Sequence, residues 1–295
     1  MRPVCAIVSV LLGAACCFFA GCFVGCGGTR GGSAAAGAKA GYEAANAAYA
    51  SASASAKAAS SSASARAVRC AVTAVREFPH DPSAYTQGLF FSDGVLYEST
   101  GQYGASTLRT VSLESGEVLS KAVLSDRFFG EGSVILDGSL YVLTWTEGQA
   151  FIYGPDLSYR RAVKYPREGW GLTTDGRRLI ASDGSDRLYF MDKELNLLQV
   201  LQVRLDGRPA RLLNELEWID GRIWANVYLS DLIYVINPVG GLVERVLDCS
   251  GLLPDSLRTP DTDVLNGIAF NPADGRIYLT GKNWPRLYEV SVPEI

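Results

Sequence analysis

From about Val68 onward, short apolar runs alternate with polar breaks, and one phrase recurs five times. It consists of aspartate-glycine, up to two further residues, an apolar pair, and then small or polar residues. The copies begin Asp93-Gly94-Val95-Leu96, Asp137-Gly138-Ser139-Leu140, Asp175-Gly176-Arg177-Arg178-Leu179, Asp220-Gly221-Arg222-Ile223 and Asp274-Gly275-Arg276-Ile277. Asp-Gly between apolar runs is the strongest short-range signal for a tight β-hairpin. Each copy follows a run that starts polar, often with glycine: Thr86-Gln87-Gly88-Leu89, Gly130-Glu131-Gly132-Ser133, Gly169-Trp170-Gly171-Leu172, Leu213-Asn214-Glu215-Leu216 and Leu265-Asn266-Gly267-Ile268. Most copies are followed by a further alternating run, such as Leu188-Tyr189-Phe190-Met191 or Leu232-Ile233-Tyr234-Val235. The copies lie about 40–55 residues apart, the length of a several-stranded propeller blade.

The pattern therefore predicts an all-β, five-bladed β-propeller. After the last copy only Arg286-Leu287-Tyr288-Glu289-Val290 remains, which leaves the fifth blade one strand short. The run 71–78 precedes the first copy and is expected to supply the missing outer strand, closing the ring without an open edge. A β-sandwich is the structural alternative, but it does not account for the five-fold register.

The first 68 residues differ in kind. Arg2 followed by the apolar run 4–19 reads as an export signal. Phe19-Ala20-Gly21-Cys22 has the form of a bacterial lipobox with Phe in place of the usual Leu, so Cys22 is the candidate lipid anchor. Cys26 is the fallback, and simple secretion after cleavage near Ala20 or Gly21 is the alternative. Residues 33–68 are mostly Ala and Ser with no recurrent apolar face. The expected organisation is a signal peptide at 1–22, a flexible linker at 23–68 and the propeller at 69–295. The expected location is the periplasm or cell surface as a lipoprotein, or otherwise the medium.

Composition narrows the chemistry. Of seven cysteines, only Cys70 and Cys249 lie beyond the leader and linker, and the sequence leaves open whether they pair or remain separate thiols. A net charge of −4 without a basic cluster argues against nucleic acid as a partner. His80 is the only histidine, so a His-rich zinc site is excluded and any Ser-His-Asp or Cys-His machinery would need His80. No phosphate-cradling or dinucleotide glycine motif is present. An enzyme built from this chain works with carboxylate, amide, lysine and aromatic groups, without a cofactor.

The repeat register ranks residues for function. Gln87, Glu131, Trp170, Asn214 and Asn266 fall at equivalent starts of the five inner strands, where polar groups from separate blades converge near the channel axis. Each has a structural reading as well. Glu131 fits a buried acid pinning a strand turn, and Gln87, Asn214 and Asn266 fit strand-end caps. The tryptophans fit packing, most clearly Trp218 and Trp224, and Lys282 fits an exposed loop.

Several ordered segments bear on this choice. Tyr85-Thr86-Gln87-Gly88-Leu89, Glu98-Ser99-Thr100-Gly101-Gln102-Tyr103-Gly104, Phe129-Gly130-Glu131-Gly132 and Gly169-Trp170-Gly171-Leu172 resemble the papaya-type glutaminyl cyclases. So do Leu213-Asn214-Glu215-Leu216-Glu217, Trp224-Ala225-Asn226, Asp263-Val264-Leu265-Asn266-Gly267 and Thr280-Gly281-Lys282-Asn283-Trp284-Pro285. The resemblance spans about Phe78 to Val290. It implies a five-bladed propeller that converts N-terminal glutamine of peptides or proteins to pyroglutamate, with loss of ammonia and no catalytic zinc. It implies that Glu131 is the catalytic glutamate, with Gln87, Asn214 and Lys282 as pocket residues and Phe129, Trp145 and Trp170 as aromatic walls. Tyr85 stands where the family has Phe, and Tyr228 where it has Trp; both keep a ring and bear on side-chain preference.

On this reading Glu131 is the proton shuttle, Gln87 and Lys282 are oxyanion donors, and Asn214 holds the substrate amine or backbone. Two rivals are a non-catalytic surface-anchored scaffold and a metal-dependent propeller hydrolase using Asp183, Asp186 or Asp263. A closed propeller is expected to be complete as a monomer.

Overall fold

The computed structural model describes residues 66–293. The expected leader, Cys22, Cys26 and most of the expected linker lie outside the described residues. Twenty strands build five four-stranded antiparallel blades, and a fifth, parallel strand adds to the edge of blade four. The inner strands are Thr86–Ser92, Gly130–Leu136, Leu172–Thr174, Leu213–Ile219 and Leu265–Asn271. Each inner strand neighbours the next, and the fifth returns to the first, so the ring closes.

The apolar alternation read from the sequence becomes five clusters, one at each junction between neighbouring blades. At the junction of blades three and four, Ile180, Leu188 and Phe190 meet Leu213, Leu216 and Ile223. Burying each such side chain stabilises the ring by about 1.5–3 kcal/mol relative to exposure. The outer strands, such as Val118–Val123 and Tyr159–Lys164, are largely exposed and mixed in polarity.

Closure follows the expectation with one refinement. Strand Thr73–Pro79 pairs antiparallel with Arg286–Ser291 as the outer strand of blade five. Just before it, Val68–Ala71 lies parallel on Val243–Asp248 of blade four. The break falls at Val72, whose N–H still donates to Asp248 at 2.9 Å, and the segment thus crosses the outer edges of two blades. Cys70 and Cys249 are free thiols beside this crossing.

The Asp-Gly phrases do form the turns between the first two strands of every blade. At Asp93-Gly94, Asp137-Gly138 and Asp220-Gly221 both residues have positive φ, the form that matches strand twist in two-residue hairpins. The other two turns are wider, and only Gly176 and Gly275 have positive φ. In the third blade Asp175 instead accepts the backbone N–H groups of Arg177 and Arg178.

All five inner strands run the same way along the axis. Their starts converge at one mouth and the Asp-Gly turns lie at the other, where Phe90, Phe91, Trp218, Phe270 and Glu217 help line a hollow of about 440 Å³. The glycines of the inner strands permit the close approach this requires. A Cβ on Gly132 would lie 2.4 Å from the Leu172 backbone nitrogen, and one on Gly171 would lie 2.0 Å from the Asn214 carbonyl oxygen.

Candidate active site

At the mouth where the inner strands begin is a cavity of about 270 Å³. It is lined by Tyr85, Gln87, Gln102, Phe129, Glu131, Trp145, Trp170, Asn214, Tyr228 and Lys282. Of the residues expected at the site, all but Asn266 lie on this wall. Gln87, Glu131 and Asn214 each occupy the second position of an inner strand, and Trp170 lies just before the short third one. Trp145, Tyr228 and Lys282 come from the turns that follow second strands, which end at Thr144, Val227 and Gly281. The site is thus assembled from all five blades.

Asn266 shares the register but does not reach the cavity. It is fully buried and its amide donates to the Thr86 carbonyl at 2.9 Å and to Gln87 Oε1 at 3.3 Å. With Gln87 Oε1 engaged from behind, its Nε2 is the group free to serve the cavity.

The Glu131 side chain is 4 % exposed, and among the described residues no side chain or backbone group donates to its carboxylate. Burial raises its pKa well above the ordinary carboxylate range. The Lys282 charge opposes that rise, while Glu147 and Glu168 add to it. Lys282 is equally buried, and burial lowers its pKa against the pull of Glu131 and Asp263. Its Nζ lies 4.7 Å from the Tyr85 ring centroid and 5.1 Å from that of Tyr228, within cation–π range of both. Tyr85 is fixed by its hydroxyl, which donates to Asp263 Oδ2 at 2.9 Å. Tyr85 and Tyr228 therefore face the same ammonium.

The aromatic rings join in edge-on contacts around the cavity. Phe129 meets Tyr85 at 6.1 Å, Tyr103 at 5.4 Å and Trp145 at 5.7 Å between centroids, and Trp170 meets Tyr228 at 5.4 Å. Trp224 packs in the core as expected and Trp218 lies partly buried against it, whereas Trp145 is exposed at the rim. Trp284 is buried beneath the Lys282 turn, and its indole donates to the Asp263 carbonyl at 2.9 Å.

Neither rival constellation gathers in this way. His80 does not line the cavity; its ring nitrogens contact the Trp284 carbonyl and Glu98. Asp183 bonds Ser185 and Tyr189, Asp186 bonds Gln202, and Asp263 bonds Tyr85, each in its own place.

The comparisons agree with this geometry. The glutamine cyclotransferase family profile matches residues 44–292. The chain belongs to the glutamine cyclotransferase family. A curated glutaminyl-peptide cyclotransferase from Arabidopsis thaliana is 40% identical over 231 residues, covering 76% of this chain and 72% of that protein. A solved glutaminyl cyclase from Myxococcus xanthus is also 40% identical, with a TM-score of 0.71 over 77% of this chain and 98% of that one. BamB from Moraxella catarrhalis, at 10% identity and a TM-score of 0.42 over 76% of this chain and 98% of that one, carries no functional argument.

Two residues at or beside the cavity escaped the sequence reading. Gln102 lines the cavity with φ at 93°, a value a non-glycine residue adopts only under local constraint. Its signal was its place within the motif that runs through Gly101 and Gly104. Glu168 accepts both indole N–H groups, from Trp145 and Trp170, through one oxygen at 3.2 Å each. An exposed glutamate beside a tryptophan carries no sequence signal for that bridge.

Proposed function

We propose that this glutamine cyclotransferase closes N-terminal glutamine of peptides and proteins to pyroglutamate, with Glu131 carrying a proton from the attacking amine to the departing nitrogen. The observation that carries the reading is the isolation of Glu131: a buried carboxylate with no hydrogen-bond donor among the described residues, in an aromatic cavity that it shares with a buried lysine.

The cavity falls just below the about 300–1,000 Å³ typical of drug-sized ligand sites, so it suits one terminal residue with the chain leaving through the mouth. The rings hold glutamine folded, with its α-amine near its own side-chain amide carbon. The free amine has a pKa of about 8 and attacks only when unprotonated. As the new C–N bond forms, that nitrogen gives a proton to Glu131. Glu131 returns it to the amide nitrogen, the old C–N bond breaks, and ammonia leaves. A carboxyl whose pKa burial raises above the ordinary range is a better proton carrier for both halves of this transfer.

The oxygen of the tetrahedral intermediate carries negative charge. Gln87 Nε2, oriented by Asn266, and Lys282 Nζ are the proposed donors to it. Asn214 is the proposed partner of the substrate amine or first peptide group. Export, with lipidation at Cys22, is also proposed. Labelled palmitate incorporated by the parent and lost in Cys22→Ser would support that anchor over Cys26.

The test is ammonia release coupled to pyroglutamate formation on Gln-Xaa peptides, with and without chelator. Release that survives chelation is expected. Release abolished by chelator favours a metal hydrolase, and no release favours a scaffold.

A further inference from the structure

We propose that His80 is a positioning residue for this reaction: as an imidazolium it clamps the turn that carries Lys282, tying the ring-closing segment to the active site. The clamp rests on Lys282 acting as an oxyanion donor. It uses the one histidine of the chain, a buried group with no part in the proton transfer itself.

The turn runs from Gly281 to Pro285, between the second and third strands of blade five. On one side, Lys282 N donates to the Val264 carbonyl at 2.9 Å and Asp263 N donates to the Lys282 carbonyl at 3.0 Å. On the other side lies the segment that leaves the closing strand. His80 N donates to the Pro285 carbonyl at 3.1 Å, and Asn283 N donates to the Ala84 carbonyl at 2.7 Å. The His80 ring fastens the centre of this second side: its Nδ1 lies 2.7 Å from the Trp284 carbonyl.

The partners fix the protonation of the ring. A carbonyl only accepts, so Nδ1 carries a proton. Nε2 lies 3.0 Å from Glu98 Oε1, so it also carries one if Glu98 is ionised. Burial acts to raise the Glu98 pKa, but the charges of His80 and Arg109 outweigh it and hold Glu98 down at about 2. Burial likewise acts to lower the His80 pKa, and Glu98 outweighs it against the Arg109 charge. Arg109 donates to Glu98 Oε2 and to Asp81 Oδ2, both at 2.9 Å, so two cations face two carboxylates. Thr86 Oγ1 also donates to Glu98 Oε1 at 2.6 Å, one residue before Gln87. One charged cluster thus braces both proposed oxyanion donors.

The turn has little slack to absorb its loss. A Cβ on Gly281 would lie 2.3 Å from the Trp284 indole, and Asn283 sits at φ 59°. Without the His80 ring, the buried Trp284 carbonyl loses its charged donor and the turn relaxes away from the cavity. A displacement of about 1 Å in a positioning element can cost on the order of 10² in rate.

The experiment is a double-mutant cycle of His80→Gln and Lys282→Ala, read by ammonia release, with long-range ¹H–¹⁵N correlation of the single histidine in the parent. Lys282→Ala alone tests the underlying role, because an unchanged kcat removes Lys282 from the mechanism. Given that loss, His80→Gln is expected to lower kcat about tenfold with KM nearly unchanged, and to add less than about twofold in the Lys282→Ala background. Equal losses in both backgrounds would mean that His80 only supports the fold, and would overturn the clamp. The spectrum does not depend on how the variants fold. Both ring nitrogens protonated near neutral pH supports the clamp, and an unprotonated Nδ1 overturns it.

Discussion

Replacing Glu131 by glutamine separates the two readings that its sequence context allowed. A structural acid pinning a strand turn would be held by donors, and its loss would destabilise the ring. Glu131 has no such donor among the described residues, and its burial raises its pKa well above the usual range. A carboxylate whose pKa burial raises costs folding energy when ionised, so the neutral isostere should be the more stable protein at pH 8. We expect Glu131→Gln to gain about 1 kcal/mol, seen as a rise of about 2–4 °C in Tm at pH 8 for a domain of this size. On the proposed mechanism the same change removes the proton carrier between amine and leaving group, and acid–base catalysis of this kind supplies about 10²–10⁴ in rate. The expected loss in kcat is about 10³, or about 4 kcal/mol of activation free energy. KM should move little, because the aromatic walls, Gln87 and Asn214 are untouched. The paired assay is thermal unfolding with steady-state ammonia release on one preparation. A variant that loses stability while keeping the parent kcat would refute the catalytic reading.

Three further outcomes follow from the same structure. Lys282→Met removes the charge that opposes the rise of Glu131, so the acidic limb of the kcat/KM profile should move to higher pH while kcat falls about 10²–10³-fold; an unmoved limb would show that the two groups do not interact. Urea unfolding should show stability falling from pH 5 to pH 8. Glu215 and Glu217 are buried with raised pKa, Glu217 to about 8, so the unfolded chain ionises first and their contribution is lost as pH rises through the folded values. Glu217 by itself contributes at most about 4 kcal/mol of this loss between pH 5 and pH 8, at about 1.4 kcal/mol per pH unit, and a flat profile would exclude it. Gly171→Ala drives a Cβ into the Asn214 carbonyl, and should cost about 1–3 kcal/mol in unfolding free energy and lower activity through Asn214; a neutral result would mean that the seam yields more easily than its distances suggest.

The ring was legible because its signals are local and periodic. Asp-Gly turns, alternating strands and a recurrent length each survive in a single sequence. The same register brought Gln87, Glu131 and Asn214 to equivalent positions, but it misplaced Asn266 by one layer. Nothing in Leu265-Asn266-Gly267 distinguishes an amide facing the cavity from one turned to its neighbour's backbone, and the structure chooses the latter. Tyr85, Phe129, Trp145, Tyr228 and Lys282 lie outside the strand-start register and were reached only through family resemblance. The bridge from Glu168 to two indoles, and the bond from His80 to a carbonyl 204 residues away, depend on three-dimensional closure and leave no local trace.

The fourth blade shows how a five-fold ring departs from its own repeat. At the position after Gln87 and its register equivalents, blades one, two, three and five carry Gly88, Gly132, Gly171 and Gly267, whereas blade four carries Glu215. Glycine lets the backbones crowd the axis, but it supplies no polar atoms to satisfy the inward N–H groups. Glu215 fills that gap, accepting from Ile268 N at 2.9 Å and Leu89 N at 3.4 Å across the ring. Glu217, two residues on and so on the same face, accepts from Phe270 N at 3.0 Å. The axis thus holds three glutamates with different tasks. Glu215 and Glu217 accept from backbone N–H groups, while Glu131 lies in the cavity with no donor among the described residues. The contrast separates a structural buried acid from the proposed reactive one by what each already holds: of these three, it is Glu131 whose carboxylate is free for a substrate.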